Sequence, residues 1–90
     1  MNDQLSYVKD DGTLIHKNHI LSDRLKQLRK ERNLSQADIG NLLHVTKTQI
    51  SDIENARRTT TIDNLVTLAQ FFNVSTDYLL GLSNNPKRRL

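Results

Sequence analysis

The stretch LSQADIGNLLHVTKTQISDIEN, residues 34–55, decides the fold. Ser35 stands just ahead of a short periodic apolar run, where its hydroxyl can accept from the amides of a first helical turn. Ala37, Ile39, Gly40 and Leu43 then line a short helix. His44-Val45 breaks the pattern, and Thr46 is placed to cap a second helix running from Lys47 to about Asn55. That helix has only Ile50 and Ile53, three apart, as apolar anchors. At about 100° per residue, Thr48 and Asn55 fall opposite them, with Lys47, Ser51 and Asp52 close by. A helix so short is unstable alone in water, so a shared core must hold it. Apart from Lys47, its outer face lacks the long charged side chains of an idle surface, and short polar groups let it approach another surface closely.

The flanking sequence supplies that core. Leu21, Leu25 and Leu28, spaced four and three apart, predict a helix reaching about Arg32, capped by Asn18 or Ser22 and ended by Asn33. Beyond the polar link ARRTTT, Thr60 with Asp63 or Thr61 with Asn64 would cap a fourth helix, with Ile62, Leu65, Leu68, Ala69 and Phe72 on one stripe. Ser75 caps a last short helix carrying Tyr78, Leu79 and Leu80, and Gly81 suits the left-handed residue after it. Residues 5–17, LSYVKDDGTLIHK, alternate loosely around Asp11-Gly12 and suggest a short β-hairpin. The chain thus divides into an N-terminal extension (1–20), an all-α, five-helix domain (21–83) and a basic tail (84–90) that reads as unpacked.

Composition narrows the function classes. Ninety residues, 36% of them hydrophobic, allow one small domain and no large catalytic cleft. With no cysteine, neither disulfides nor thiolate zinc sites can reinforce the core. No apolar run approaches a membrane span, and the N-terminus MNDQLSYVKDDG does not read as a signal peptide, so a cytoplasmic, nucleoid-associated protein is expected. The net charge is +3 and the sequence pI about 9.5. Lys9 and Lys17 against Asp3, Asp10 and Asp11 leave residues 1–21 slightly acidic. The positive charge gathers at Arg24, Lys26, Arg29, Lys30 and Arg32, at Arg57 and Arg58, and at Lys87, Arg88 and Arg89, a distribution that suits a polyanion. Solvated surface cations explain charge alone equally well. No nucleophile and base, phosphate loop or metal cluster emerges, so no enzyme and no cofactor is expected; His16 and His19 without further ligands read as surface residues.

Residues 34–55, continued by NLVTLAQFFNVSTDYLLGLS (64–83), resemble the lambda-repressor-like helix-turn-helix family of phage and bacterial regulators, also called the Xre family. Ser35-Gln36-Ala37, Leu43, Val45-Thr46, Ile50-Ser51, Ile53-Glu54-Asn55 and residues 74–80 all sit at family spacing. The resemblance implies that the helix after the turn enters the major groove of double-stranded DNA, with Lys47, Thr48, Ser51 and Asp52 reading bases. Gln36 matches a phosphate-contacting glutamine, and Asn55, Arg57, Arg58 and Thr59 a second backbone clamp. Glu54 would pair with Arg29 to position the reading helix. Tyr78, Leu79 and Leu80 would divide between core and dimer contact. For Asp52, a discriminating role weighs as much as a cytosine contact, because a carboxylate near phosphates costs affinity unless it meets a donor.

The sequence also departs from the family. His44 stands where the turn usually carries glycine, which is used there because the residue adopts positive φ; Ala56 also stands where glycine is usual, and Thr60 where proline is common. Gly40 takes a small alanine position where the two motif helices cross. Leu42 and Phe71 are apolar where the family is often polar, which suggests cover from the N-terminal extension. The expectation is therefore a sequence-specific transcriptional regulator, a repressor acting as a homodimer on a palindrome. The alternative is an antitoxin or antirepressor-type module that binds another protein through the extension, with DNA binding secondary.

Overall fold

In the computed structural model, residues 18–87 are described and form five helices. They are α1 (Asn18–Glu31), α2 (Gln36–Leu43), α3 (Lys47–Glu54), α4 (Ile62–Phe72) and α5 (Thr76–Leu80). The suggested hairpin, His16, Arg88 and Arg89 lie outside the described residues. So does any cover that residues 5–17 give to Leu42 or Phe71.

Each boundary has a local cause. Asn33 leaves α1 in the left-handed region at φ 57°, its N–H donating to the Lys30 carbonyl at 3.0 Å. Ser35 and Asp38 form a reciprocal cap: the Asp38 N–H donates to Ser35 Oγ at 2.9 Å, and the Ser35 N–H donates to Asp38 Oδ2 at 2.8 Å. Those Ser35 hydrogen bonds hold the Asp38 carboxyl below its ordinary range. Thr46 and Gln49 repeat the device at the start of α3. Of the two proposed caps for α4, Thr61 is the one used, accepting from the Asn64 N–H. Ser75 caps α5, which ends on Gly81 at φ 82°.

The helices share one core of Leu21, Leu25, Ile39, Leu43, Ile50, Ile53, Leu68, Ala69, Phe72, Val74 and Leu79. α1 packs on α3 and α5, α2 on α3, and α4 on α5. Gly40 marks the tightest approach between α2 and the turn, since a Cβ there would lie 2.8 Å from the Val45 carbonyl oxygen. The turn accepts His44 at φ 60°, with Val45 N–H returning to the Gly40 carbonyl at 2.9 Å.

Several expectations need correction. Ser22 does not cap α1; it is buried within the helix, and its hydroxyl donates to the Ile53 carbonyl. Ala37 faces solvent, and Ile62 is 78% exposed despite its place on the α4 stripe. Leu42 is half-buried and packs against the core. Phe71 is exposed, yet the Arg32 guanidinium lies 5.4 Å from its ring centroid and 5.2 Å from that of Phe72. The same guanidinium donates to the Phe71 and Phe72 carbonyls at the end of α4. Residues 84–87 are not loose, because the Ser75 N–H donates to the Pro86 carbonyl at 3.0 Å and Arg24 Nη2 to Asn84 Oδ1 at 3.0 Å.

Ala56 also has a positive φ, 60°. Its Cβ makes the left-handed conformation costly. Ala56→Gly should stabilise the domain by about 1 kcal/mol, read from chemical denaturation, with helix content unchanged.

Candidate nucleic-acid interface

The site is built around α3, which the core grips by one side. Ile50 is wholly buried, Ile53 is 4% exposed and Glu54 is 3% exposed. Lys47 and Thr48 are exposed on the other side, and Ser51 and Asp52 are half-buried beside them. The four residues recur at helical spacing and share that outer face. Lys47 and Thr48 side chains have no hydrogen-bond partner among the described residues.

Glu54 ties α3 to α1. Its Oε2 accepts from Arg29 Nε at 2.6 Å and its Oε1 from Arg29 Nη2 at 2.9 Å, a two-pronged pair in which both side chains are largely removed from solvent. Arg29 Nη1 also donates to the Leu34 carbonyl at 2.8 Å, so one guanidinium joins α1, the segment before α2, and α3. The hydrogen bonds to Glu54 raise the Arg29 pKa above its ordinary value, against a smaller opposing effect of burial. Gln36 joins this network, donating Nε2 to Glu54 Oε1 at 3.1 Å. One of its amide hydrogens is thereby directed inward, and Gln36 is half-buried at the first position of α2.

The loop after α3 folds back on the helix. The Arg57 N–H donates to the Asp52 carbonyl at 2.8 Å and the Arg58 N–H to the same oxygen at 3.4 Å. Arg57 Nη1 then lies 3.4 Å from Asp52 Oδ1. Asn55, Arg57, Arg58 and Thr59 are all exposed, but Asn55 turns its amide back to the Ser51 carbonyl at 2.9 Å. The Arg58 side chain has no partner among the described residues.

The last helix separates its three candidates. Leu79 is completely buried and presents no surface for a second subunit. Tyr78 is half-buried beneath Arg24, whose guanidinium carbon is 4.0 Å from the ring centroid. Leu80 remains 42% exposed. Arg24 also donates to the Tyr78 and Ser83 carbonyls, a clamp between α1 and the C-terminal segment that local sequence patterns do not signal. The Thr46–Gln49 and Ser35–Asp38 caps, in contrast, carry the recognisable spacing of a capping box.

Among the described residues, no group of three or more His, Asp or Glu could hold a metal ion, and no helix is long and apolar enough to cross a membrane. A groove of about 620 Å³ lies between α4, the start of α5 and residues 82–87, away from α3.

Comparison with known proteins matches this arrangement. A helix-turn-helix family model covers residues 25–79. The HTH-type transcriptional regulator YobD of Bacillus subtilis (strain 168) is 35% identical over 63 residues, which cover 70% of this chain and 56% of YobD. The chain thus spans about half the length of that relative. Among solved structures, the P22 c2 repressor in complex with a synthetic operator is 29% identical with a TM-score of 0.62, covering 66% of this chain and 89% of that one. The N-terminal DNA-binding domain of SinR from Bacillus subtilis is 30% identical with a TM-score of 0.61, covering 69% and 91%. These similar proteins are a transcriptional regulator, a repressor on a synthetic operator and a DNA-binding domain. With five helices in this order and a family match across its core, the chain belongs to the lambda-repressor-like, or Xre, helix-turn-helix family.

Proposed function

We propose that the chain is a DNA-binding transcriptional regulator, acting as a repressor and as a homodimer on a palindromic operator in the cytoplasm. The observation that carries this reading is the exposed outer face of α3. Its two ends are fixed by Thr46 and by the Arg29–Glu54 pair, while Lys47 and Thr48 are left to meet another surface. In this reading α3 lies in the major groove, where Lys47 donates to guanine, Thr48 bonds a base or touches a thymine methyl, and Ser51 and Asp52 contact the next pairs. Gln36 and the exposed Asn55, Arg57, Arg58 and Thr59 face phosphates on either side of α3. The similar P22 c2 repressor, whose structure is a complex with a synthetic operator, supports repression.

One such module reads only a few base pairs, so twofold pairing would supply the remaining specificity. Leu80 is the candidate from the last helix with apolar surface to give to that contact, and Tyr78 offers a smaller part. Selection from a random duplex pool tests the reading. It should return two inverted half-sites with centres about 34 Å apart. A single unpaired site would count against the dimer, and recovery of no consensus would count against sequence-specific regulation.

Base and phosphate roles separate by mutation. Thr48→Ala should cost about 1–3 kcal/mol on the selected site and alter the preferred base there. Arg58→Ala, which removes an arginine with no carboxylate partner among the described residues, should weaken selected and random duplexes together and lower the salt slope by about 1. Titrations at several salt concentrations measure both. An equal loss on the two duplexes for Thr48→Ala would argue against direct reading.

A further inference from the structure

We propose that Asp52 is a specificity-determining residue because it withholds Arg57 from phosphate until a base amino group replaces the arginine. This proposal rests on the DNA-binding reading of α3.

The juxtaposition is built by the backbone. Arg57 lies beyond the end of α3, and Ala56, at φ 60°, reverses the chain so that the Arg57 N–H returns to the Asp52 carbonyl. The guanidinium is thereby delivered to the Asp52 carboxylate without the ordering of two long, free side chains. The contact itself is loose: one Nη1–Oδ1 approach at 3.4 Å, with the Arg57 side chain 65% exposed and that of Asp52 31% exposed. An ion pair this open is readily exchanged. Arg58, the next residue, has no such carboxylate among the described residues. The two arginines therefore differ in what each must give up to reach a phosphate.

Any duplex offers Arg57 a phosphate. Taking it strands the Asp52 carboxylate at the groove, where water is displaced and an unpartnered charge is costly. Cytosine N4 and adenine N6 each present an amino donor in the major groove and can replace the guanidinium; guanine O6 and thymine O4 present acceptors and cannot. The phosphate contact of Arg57 and the identity of the base opposite Asp52 thus become coupled. Random DNA meets a penalty that the right site avoids.

A mutant cycle on the full chain tests this, with binding to a selected and a random duplex measured by fluorescence anisotropy at fixed salt. Asp52→Ala should tighten random-duplex binding about two- to fivefold, with less gain or a loss on the selected duplex. The random-duplex gain should vanish in an Arg57→Ala background and persist in an Arg58→Ala background. Asp52→Asn provides a second variant that keeps the side-chain shape, and thermal melts verify folding. An equal gain in all three backgrounds would show simple relief of charge repulsion and overturn the proposal, as would no gain in any. Absence of salt-sensitive DNA binding by the unmodified protein would overturn the regulator reading as well. Salt-sensitive binding with an uncoupled cycle would overturn only the role of Asp52.

Discussion

Arg29→Ala is expected to destabilise the domain by about 3–5 kcal/mol, because it leaves the buried Glu54 carboxylate without its cation. Gln36 would remain as a single neutral donor to Glu54 Oε1. Loss of Nη1 would also release the Leu34 carbonyl, loosening the entry to α2. Urea denaturation checks the magnitude. Replacing both partners by apolar residues of similar size, as in Arg29→Met with Glu54→Leu, should cost much less than Arg29→Ala, because no buried charge is stranded. That double variant separates positioning from stability: if the pair sets the angle of α3, the variant should fold yet discriminate DNA sequences less well. A loss below about 1 kcal/mol for Arg29→Ala would place the pair among ordinary surface ion pairs.

Ile50→Ala is expected to cost about 2–5 kcal/mol. Ile50 is wholly buried, and α3 otherwise grips the core only through Ile53 and Glu54. The truncation leaves a cavity beneath an eight-residue helix that has little stability of its own. Ile50→Val should cost about 0.5–1.5 kcal/mol and serves as the graded control. Because DNA binds only the folded form, saturating selected duplex should raise the melting temperature of Ile50→Ala again. A small loss with no such rescue would indicate that α3 is not held as described.

Local chemistry was the most legible part of the fold. Ser35, Thr46, Ser75 and Gly81 each mark a helix boundary through a hydroxyl or a left-handed backbone, and these effects need only neighbouring residues. The glycine-to-histidine departure at residue 44 was legible as a demand for positive φ, which the turn meets. Burial was less legible, since periodicity names a stripe without saying how far another element covers it. Ile62 therefore lies in solvent at the start of α4, while Leu42 finds the core. Three contacts between distant parts of the chain gave no sequence signal. The Ser22 hydroxyl reaches Ile53, Arg24 secures residues 83–84, and Arg32 closes the end of α4.

The candidate site was legible as a set of positions but not as a network. The spacing places Lys47, Thr48, Ser51 and Asp52 on one face, and the family resemblance supplies the Arg29–Glu54 pair. Neither indicates that Gln36 turns one amide hydrogen toward Glu54, that Asn55 returns to Ser51, or that Arg57 meets Asp52. Those contacts depend on how far each side chain reaches, which residue spacing alone does not state.

The most direct test of α3 as the DNA-reading element is an amide NMR titration of the protein with the selected duplex. The largest shifts should fall on residues 47–52, with a second set at Gln36 and residues 57–59. The α4 and C-terminal groove around Val66 and Leu82 should change little where it does not meet a second subunit. Shifts concentrated in that groove, with residues 47–52 unmoved at saturation, would contradict the account.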